Sequence, residues 1–155
     1  MRLHAEVDAA SEFKLAQKAL DEEDFEAALA HFESALRLKD NPCWYSYVGY
    51  CIAKGRGDFR NGVDFCLMAL EIEPENPVHY LNLGRVYLAS GNKKKAFLAL
   101  QDGMEKGGNF EILQMLAEFG DRNAPVFKSL PRDNPLNKFL GRILHRHKLR
   151  KRDLP

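Results

Sequence analysis

The chain has 155 residues, about the length of one domain, and its 45 % hydrophobic and 29 % charged residues exclude intrinsic disorder by composition. It contains no run of about eighteen apolar residues, so we expect no transmembrane helix, and its N-terminus lacks the apolar stretch of a secretory signal. Cys43, Cys51 and Cys66 form no Cys-x-x-Cys pair, which argues against a disulfide scaffold or a zinc site. These features predict a cytoplasmic protein.

The net charge of +1 conceals an asymmetry between the two ends of the chain. Residues 1–40 carry ten acidic and five basic side chains, a net charge of −5. Residues 138–155 carry seven basic side chains and one acidic side chain, a net charge of +6. Such a gradient influences partner choice and self-association rather than the fold.

Apolar residues recur with the period of an amphipathic helix from Phe13 to Met104, and turn residues interrupt them at intervals. In chain order, the predicted helices follow the apolar stripes 13–20, 25–36, 45–52, 59–70, 80–87 and 96–104. The acidic segment 21–24 separates the first two helices, and Gly55-Arg56-Gly57 is predicted to form the turn of the second pair. Alternating β-branched residues are missing from the sequence, so the predicted fold class is all-α.

The helix pairs repeat every 34 residues, as the spacing of Ala35, Ala69 and Gly103 indicates. Positions where antiparallel helices cross require small side chains, because these let the two backbones approach. All nine such positions are Ala or Gly: Ala16, Ala28, Ala35, Gly49, Gly62, Ala69, Gly84, Ala96 and Gly103. The pattern therefore predicts closely packed helical hairpins.

This 34-residue helix–turn–helix unit resembles the tetratricopeptide repeat over about residues 9–108. The third unit carries the repeat pattern at Tyr80, Leu83, Gly84, Tyr87, Gly91, Ala96, Leu100 and Gly103. It departs from the pattern by having Leu100 in place of an aromatic residue and by lacking a closing proline. The resemblance implies a right-handed solenoid of three helix–turn–helix repeats, whose leading helices line a concave groove for peptide segments of partner proteins.

The resemblance also implies which side chains line that groove. Carried over by position, they are Phe13, Gln17, Ser46, Tyr47, Tyr50, Lys54, Val78, Leu81, Asn82, Arg85 and Ala89. Aromatic residues with two separated cations suit an apolar or mixed peptide. In the alternative interpretation, Phe13 and Tyr47 pack between neighbouring repeats.

Some members of the family bind the C-terminal carboxylates of heat-shock chaperones through Lys, Asn and Arg side chains. The corresponding positions in this chain are Phe13, Gln17, Tyr47, Val78 and Asn82. None of them is cationic, so we expect no carboxylate clamp of that type.

The segment after the repeats is predicted to cover the last of them. Its apolar residues between 110 and 119 predict a fourth leading helix or a capping helix, which gives an array over 9–120 after a lead-in of residues 1–8. Pro125 and Pro131 predict a connector over 121–134, and apolar residues at helical spacing predict a basic amphipathic helix and tail over 135–155. The basic side chains of this tail are Lys138, Arg142, Arg146, Lys148, Arg150, Lys151 and Arg152.

Three interpretations of the basic tail remain open. It is a solvated capping helix, a binder of an anionic surface (membrane or nucleic acid), or a segment that pairs with the acidic end of another copy. Aromatic residues for base stacking are missing after Phe139, which weakens the case for nucleic acid.

Enzyme chemistry has little support in the sequence. The five histidines lack metal-ligand spacing, and Gly55-Arg56-Gly57 lacks the strand and the Gly-Lys-Ser/Thr ending of a phosphate-binding loop. The sequence therefore predicts a non-catalytic adaptor that binds a protein or peptide partner in its concave groove and needs no metal or other cofactor. The alternatives are an anionic-surface binder that acts through the basic tail and a scaffold that self-assembles through its acidic and basic ends.

Overall fold

A computed structural model describes residues 8–119 together with residues 131, 134 and 135. Within these residues the chain forms seven α-helices and one short 3-10 turn, and it contains no strand. The helices are α1 (Ala9–Asp21), α2 (Phe25–Leu38), α3 (Tyr45–Arg56), α4 (Phe59–Ile72), α5 (Pro77–Ala89), α6 (Lys93–Glu105) and α7 (Phe110–Phe119), and the 3-10 turn Pro42–Trp44 leads into α3.

Aspartate or asparagine side chains fix where the helices begin. Asp24, Asp58 and Asn92 cap α2, α4 and α6 at intervals of 34 residues, and each accepts a hydrogen bond from a backbone N–H of the first turn. Asn76 and Asn109 precede α5 and α7, and their side chains accept hydrogen bonds from the backbone N–H groups of Val78 and Ile112. These caps satisfy backbone N–H groups that have no partner within the helix. The 34-residue repeat is therefore visible in the capping residues as well as in the apolar positions.

The helices form three antiparallel hairpins, α1–α2, α3–α4 and α5–α6, and α7 packs against α6. The leading helix of the third hairpin contacts both helices of the second hairpin, so successive hairpins stack. The turn of the second hairpin is shorter than the sequence predicted. Gly55 and Arg56 belong to α3, and Gly57 closes that helix with a φ of 67°, in the left-handed region that glycine adopts without strain.

All nine predicted small positions are buried, which confirms the close packing of the hairpins. The tightest crossing joins α3 and α4. A Cβ atom added at Gly62 would lie 2.7 Å from the carbonyl oxygen of Gly49 and 2.9 Å from the Cβ atom of Ala53. Two carbon atoms in contact settle about 3.5–4.0 Å apart, so any side chain added at this crossing forces α3 and α4 apart.

The core follows the stack of hairpins as three successive clusters of buried residues. The first includes Leu29 and Phe32 between α1, α2 and α3, the second includes Val86 between the second and third hairpins, and the third joins Leu100 to Ile112 of α7. The predicted all-α fold of stacked helix–turn–helix repeats is confirmed. The predicted connector and basic tail fall mainly outside the described residues, and they remain predictions.

Candidate functional site

The leading helices together line a half-open cavity of about 360 Å³, which we call the central cavity. Residues one helical turn apart face it from α1, α3 and α5, because side chains three and four positions apart share one face of a helix. The start of α7 closes the fourth side. The lining residues are Gln17, Leu20 and Asp21 from α1, Tyr47 and Tyr50 from α3, Val78, Leu81 and Arg85 from α5, and Asn109 and Glu111 at the start of α7.

Arg85 is held in the central cavity by three neighbours. Its guanidinium carbon lies 5.2 Å from the centre of the Tyr50 ring, a cation–π contact. Its Nη1 atom donates a hydrogen bond to Oδ1 of Asn82 over 3.1 Å, and its Nη2 atom pairs with the carboxylate of Glu111. The guanidinium is therefore already neutralised within the protein.

Tyr47 and Tyr50 supply the aromatic surface of the central cavity. Tyr47 stacks on Phe32 with a centroid distance of 5.3 Å, and Tyr50 meets the edge of Phe25 at 5.6 Å. Burial raises the pKa of both hydroxyl groups above their ordinary value, with Arg85 acting in the opposite direction. Both rings therefore remain neutral at physiological pH and present fixed, amphipathic surfaces.

A chain of buried polar side chains lies beside the cavity and ends at Arg85. Asn82 donates from Nδ2 to Oγ of Ser46 over 3.0 Å, Oγ of Ser46 lies 2.8 Å from Nδ1 of His79, and Nε2 of His79 lies 2.8 Å from the carboxylate of Glu73. Ser46, His79 and Asn82 are fully buried. Within the described residues, every buried side-chain nitrogen and oxygen has a hydrogen-bond partner, as buried polar groups require.

The Ser46, His79 and Glu73 side chains have the residue types of a hydrolytic triad but lack access for a substrate. The exposed fraction of Ser46 is 0 %, and its Oγ atom already receives the Asn82 hydrogen bond. A nucleophile must approach the reacting carbon to about 3–3.5 Å, which burial prevents here. The arrangement therefore joins the second and third hairpins and is not a catalytic site.

Glu73 is the ionised end of this chain. It accepts hydrogen bonds from the Cys43 thiol at 3.0 Å and from the Asn76 amide at 3.1 Å in addition to the His79 contact. The hydrogen bonds from Cys43 and His79 lower the pKa of the Glu73 carboxyl below its usual 4.5. Burial and the Glu73 contact raise the pKa of the Cys43 thiol to about 11, so it stays protonated and unreactive at neutral pH.

Six of the eleven sequence-predicted groove residues meet in the central cavity: Gln17, Tyr47, Tyr50, Val78, Leu81 and Arg85. Ser46 and Asn82 are buried beneath its wall, so their prediction as exposed groove residues needs correction. Their polar groups are covered because the neighbouring repeat supplies their hydrogen-bond partners.

Phe13, Lys54 and Ala89 do not line the central cavity. Phe13 packs between repeats, stacked on Trp44 at 5.2 Å and in edge contact with Phe32 and Tyr47. Lys54 places its ammonium group 5.5 Å from the centre of the Phe25 ring. The alternative interpretation of Phe13 as an inter-repeat residue therefore agrees with its contacts, whereas Tyr47 both packs on the core and lines the cavity.

Sequence reasoning missed Leu20, Asp21, Asn109 and Glu111. The signal for the last two was present in the spacing of the caps, because Asn76 and Asn109 begin the leading helices α5 and α7 33 residues apart. Aligning α7 as a fourth leading helix places Glu111 at the position of Val78. Leu20 and Asp21 continue the face of Gln17 by one helical turn.

No described helix has the length and apolar character needed to span a membrane. Residues 8–119, 131, 134 and 135 also contain no cluster of three or more His, Cys, Asp or Glu side chains suited to a metal ion. The basic tail residues predicted to bind anionic surfaces, Lys138 to Arg152, lie outside the described residues.

Comparisons with known proteins agree with the fold of stacked helix–turn–helix repeats. Residues 65–98, one repeat length, match the family model of the tetratricopeptide repeat. No curated protein sequence matches the chain.

The chain is also similar to solved structures. One is the Sgt2 TPR domain from Aspergillus fumigatus, with a TM-score of 0.58 and 16 % identity, covering 84 % of this chain and 93 % of that one. Another is MamA (41-end) from Desulfovibrio magneticus RS-1, with a TM-score of 0.55 and 15 % identity, covering 95 % of this chain and 75 % of that one. At these identities the likeness establishes the fold alone.

Proposed function

We propose, from the premise that this chain is a tetratricopeptide-repeat protein, that it is a non-catalytic adaptor whose central cavity binds a peptide segment of a partner protein. Helical repeats of this kind generally mediate contacts between proteins, and their extended concave surfaces suit a peptide. The observation that carries the proposal is the convergence of four leading helices on one cavity lined by two tyrosine rings, two aliphatic side chains of α5 and several polar groups.

The chemistry of the lining supports binding rather than catalysis. Tyrosine and arginine are the residues that dominate binding energy at protein interfaces, and both occur here on rigid helices. The arrangement of Ser46, His79 and Glu73 is closed to substrates by the burial of Ser46. We therefore propose the central cavity as the binding surface of the protein.

A matched pair of tyrosine variants tests the proposal. Tyr50 lines the central cavity, whereas Tyr87 does not, and both rings are partly buried against the same core cluster. Tyr50→Ala and Tyr87→Ala remove the same atoms and should cost similar unfolding free energy, about 3 kcal/mol or less because both rings are partly exposed.

Only Tyr50→Ala should lose the partner. The full chain is immobilised, partners are captured from the native lysate after crosslinking, and the amounts retained are compared by mass spectrometry. We expect at least a tenfold loss for Tyr50→Ala and wild-type retention for Tyr87→Ala, with equal helical circular dichroism. Equal retention by wild type and Tyr50→Ala would remove the central cavity as the binding surface.

A further inference from the structure

We infer that the central cavity selects a peptide that presents a lysine or arginine side chain, rather than an acidic or carboxyl-terminal segment. This inference rests on the proposed function, because it names the chemistry of the segment that the cavity would hold. It follows from the charge that remains unpaired among the described lining residues, from the contacts that hold Arg85 in its ion pair and from the aromatic surface of Tyr47.

Among the described residues, the charges of the lining sum to a negative value. Asp21 and Glu111 are acidic, and Arg85 is the basic residue of that described lining. Arg85 is paired with Glu111, and Asp21 forms no side-chain hydrogen bond or ion pair within residues 8–119. A ligand carboxylate would have to draw Arg85 away from Glu111, whereas a ligand ammonium group finds the Asp21 carboxylate available.

The buried polar chain sets the direction in which Asn82 faces Arg85. A carboxylate accepts hydrogen bonds only, so Nε2 of His79 must carry the hydrogen that Glu73 receives. Oγ of Ser46 lies 2.8 Å from Nδ1 of His79 and accepts a hydrogen bond from Nδ2 of Asn82. The amide oxygen of Asn82 is thereby left to face Arg85. The chain thus holds Arg85 in its paired position.

The positive end of α7 is also neutralised. The N-terminus of a helix attracts anions because its first N–H groups are free. Here Oδ1 of Asn109 accepts from the backbone N–H of Ile112 over 2.8 Å, and the Glu111 carboxylate stands in the first turn. The helix end therefore adds no anion site to the cavity.

The Tyr47 ring adds an aromatic surface to the site for a cation. Tyr50 already holds the guanidinium of Arg85 against its face, so the neighbouring Tyr47 ring is the one left for a ligand. Tyr47 lines the cavity one turn earlier on the same helix. A lysine or arginine of a ligand placed between Asp21 and the Tyr47 ring gains both an ion pair and a cation–π contact, whereas a glutamate would meet the unpaired Asp21 carboxylate.

Three pools of capped nonapeptides test the inference on the full chain. The pools have a central Lys, Gln or Glu, flanks randomised among uncharged residues, and acetylated and amidated ends that remove the terminal charges. Retention on the immobilised protein is quantified by mass spectrometry. We expect the Lys pool to be retained at least fivefold over the Glu pool, and this ratio to fall in high salt because exposed ion pairs are screened.

Two variants of lining residues should change retention of the Lys pool in opposite directions, and a third variant is the control. Asp21→Asn should lower retention of the Lys pool about twofold to fivefold, the range for one exposed ion pair, and Asp64→Asn, an exposed change on α4 outside the cavity, should not alter it. Arg85→Gln frees Glu111 and should raise retention of the Lys pool by a similar factor. Loss of Lys-pool binding on Arg85→Gln, preference for the Glu pool, or no enrichment of any pool overturns the inference.

The outcomes separate this inference from the proposed function. If the Glu pool is retained and Tyr50→Ala abolishes that retention, the cation preference is wrong but the central cavity still binds peptides. If Tyr50→Ala leaves partner capture from the lysate unchanged, the proposed function is wrong and the inference is overturned with it.

Discussion

Substitution of Gly62 by alanine tests the close packing on which the fold depends. The added Cβ atom would lie 2.7 Å from the Gly49 carbonyl oxygen, 2.9 Å from Cβ of Ala53 and 3.4 Å from Cγ1 of Val86. Two of these neighbours are backbone oxygen and a short side chain, neither of which can rotate away. Since carbon–carbon contacts settle at about 3.5–4.0 Å, α3 and α4 must separate by roughly 0.6–1 Å.

Two opposing effects determine how much Gly62→Ala changes the free energy of unfolding. Overpacking a close-packed core costs about 1–3 kcal/mol, and the two contacts under 3.0 Å, one of them with backbone, place this site at about 2–3 kcal/mol. Alanine in place of glycine within a helix returns about 1 kcal/mol. We expect Gly62→Ala to lower the free energy of unfolding by about 1–2 kcal/mol, equivalent to roughly 2–8 °C in Tm for a chain of this length. Urea unfolding followed by circular dichroism should show a lower midpoint with an unchanged slope.

Gly55→Ala is the matched control. Gly55 also lies in a helix, but it is exposed, and its added Cβ atom would meet Cβ of Phe25 at 3.2 Å and Oε1 of Glu26 at 3.3 Å. Exposed Glu26 can move by a few tenths of an ångström, so the gain in helix propensity offsets the crowding and stability should change by less than about 0.5 kcal/mol. A Gly62→Ala protein as stable as wild type would refute the account of the hairpin crossing.

Two further predictions concern the buried polar chain and the thiols. Because hydrogen bonds lower the pKa of Glu73 in the folded state, its ionised form stabilises the fold above the unfolded-state pKa near 4.5, and this contribution is lost as the pH falls through the lower folded value. The difference in urea midpoint between wild type and Glu73→Gln should therefore be larger at pH 7 than at pH 3, and an equal difference at both would contradict the assignment. Burial raises the pKa of Cys51 and Cys66 to about 12, and that of Cys43 is raised to about 11, so at pH 8 a thiol reagent should react slowly with the native protein and rapidly after unfolding. Fast reaction of all three thiols in the native state would show that they are not protected.

Much of the fold could be predicted from local sequence features. The spacing of Ala35, Ala69 and Gly103 gives the length of the repeat, and their small size is required wherever two helices cross. Both signals act within one repeat or between identical positions of successive repeats. Both signals can therefore be read from the sequence without knowing which residues are in contact in three dimensions.

The central cavity could be predicted only in part, because its character depends on contacts between repeats. Ser46 and Asn82 occupy groove positions by register, yet they pair with each other and with His79 across 33 to 36 residues of sequence and become buried. Arg85 looks like a free cation in the sequence, whereas the structure pairs it with Glu111 from a helix that follows the recognised repeats. Periodicity fixes which face of a helix a residue occupies but not what the neighbouring helix places opposite it.

Amide chemical-shift mapping of the full chain, titrated with the partner segment recovered by capture, tests the central claim most directly. We predict that the largest perturbations fall on the lining residues, including Gln17, Tyr50 and Arg85, and that Tyr50→Ala removes them. Perturbations confined to the trailing helices α2, α4 and α6 would contradict the claim that the leading helices form the binding surface.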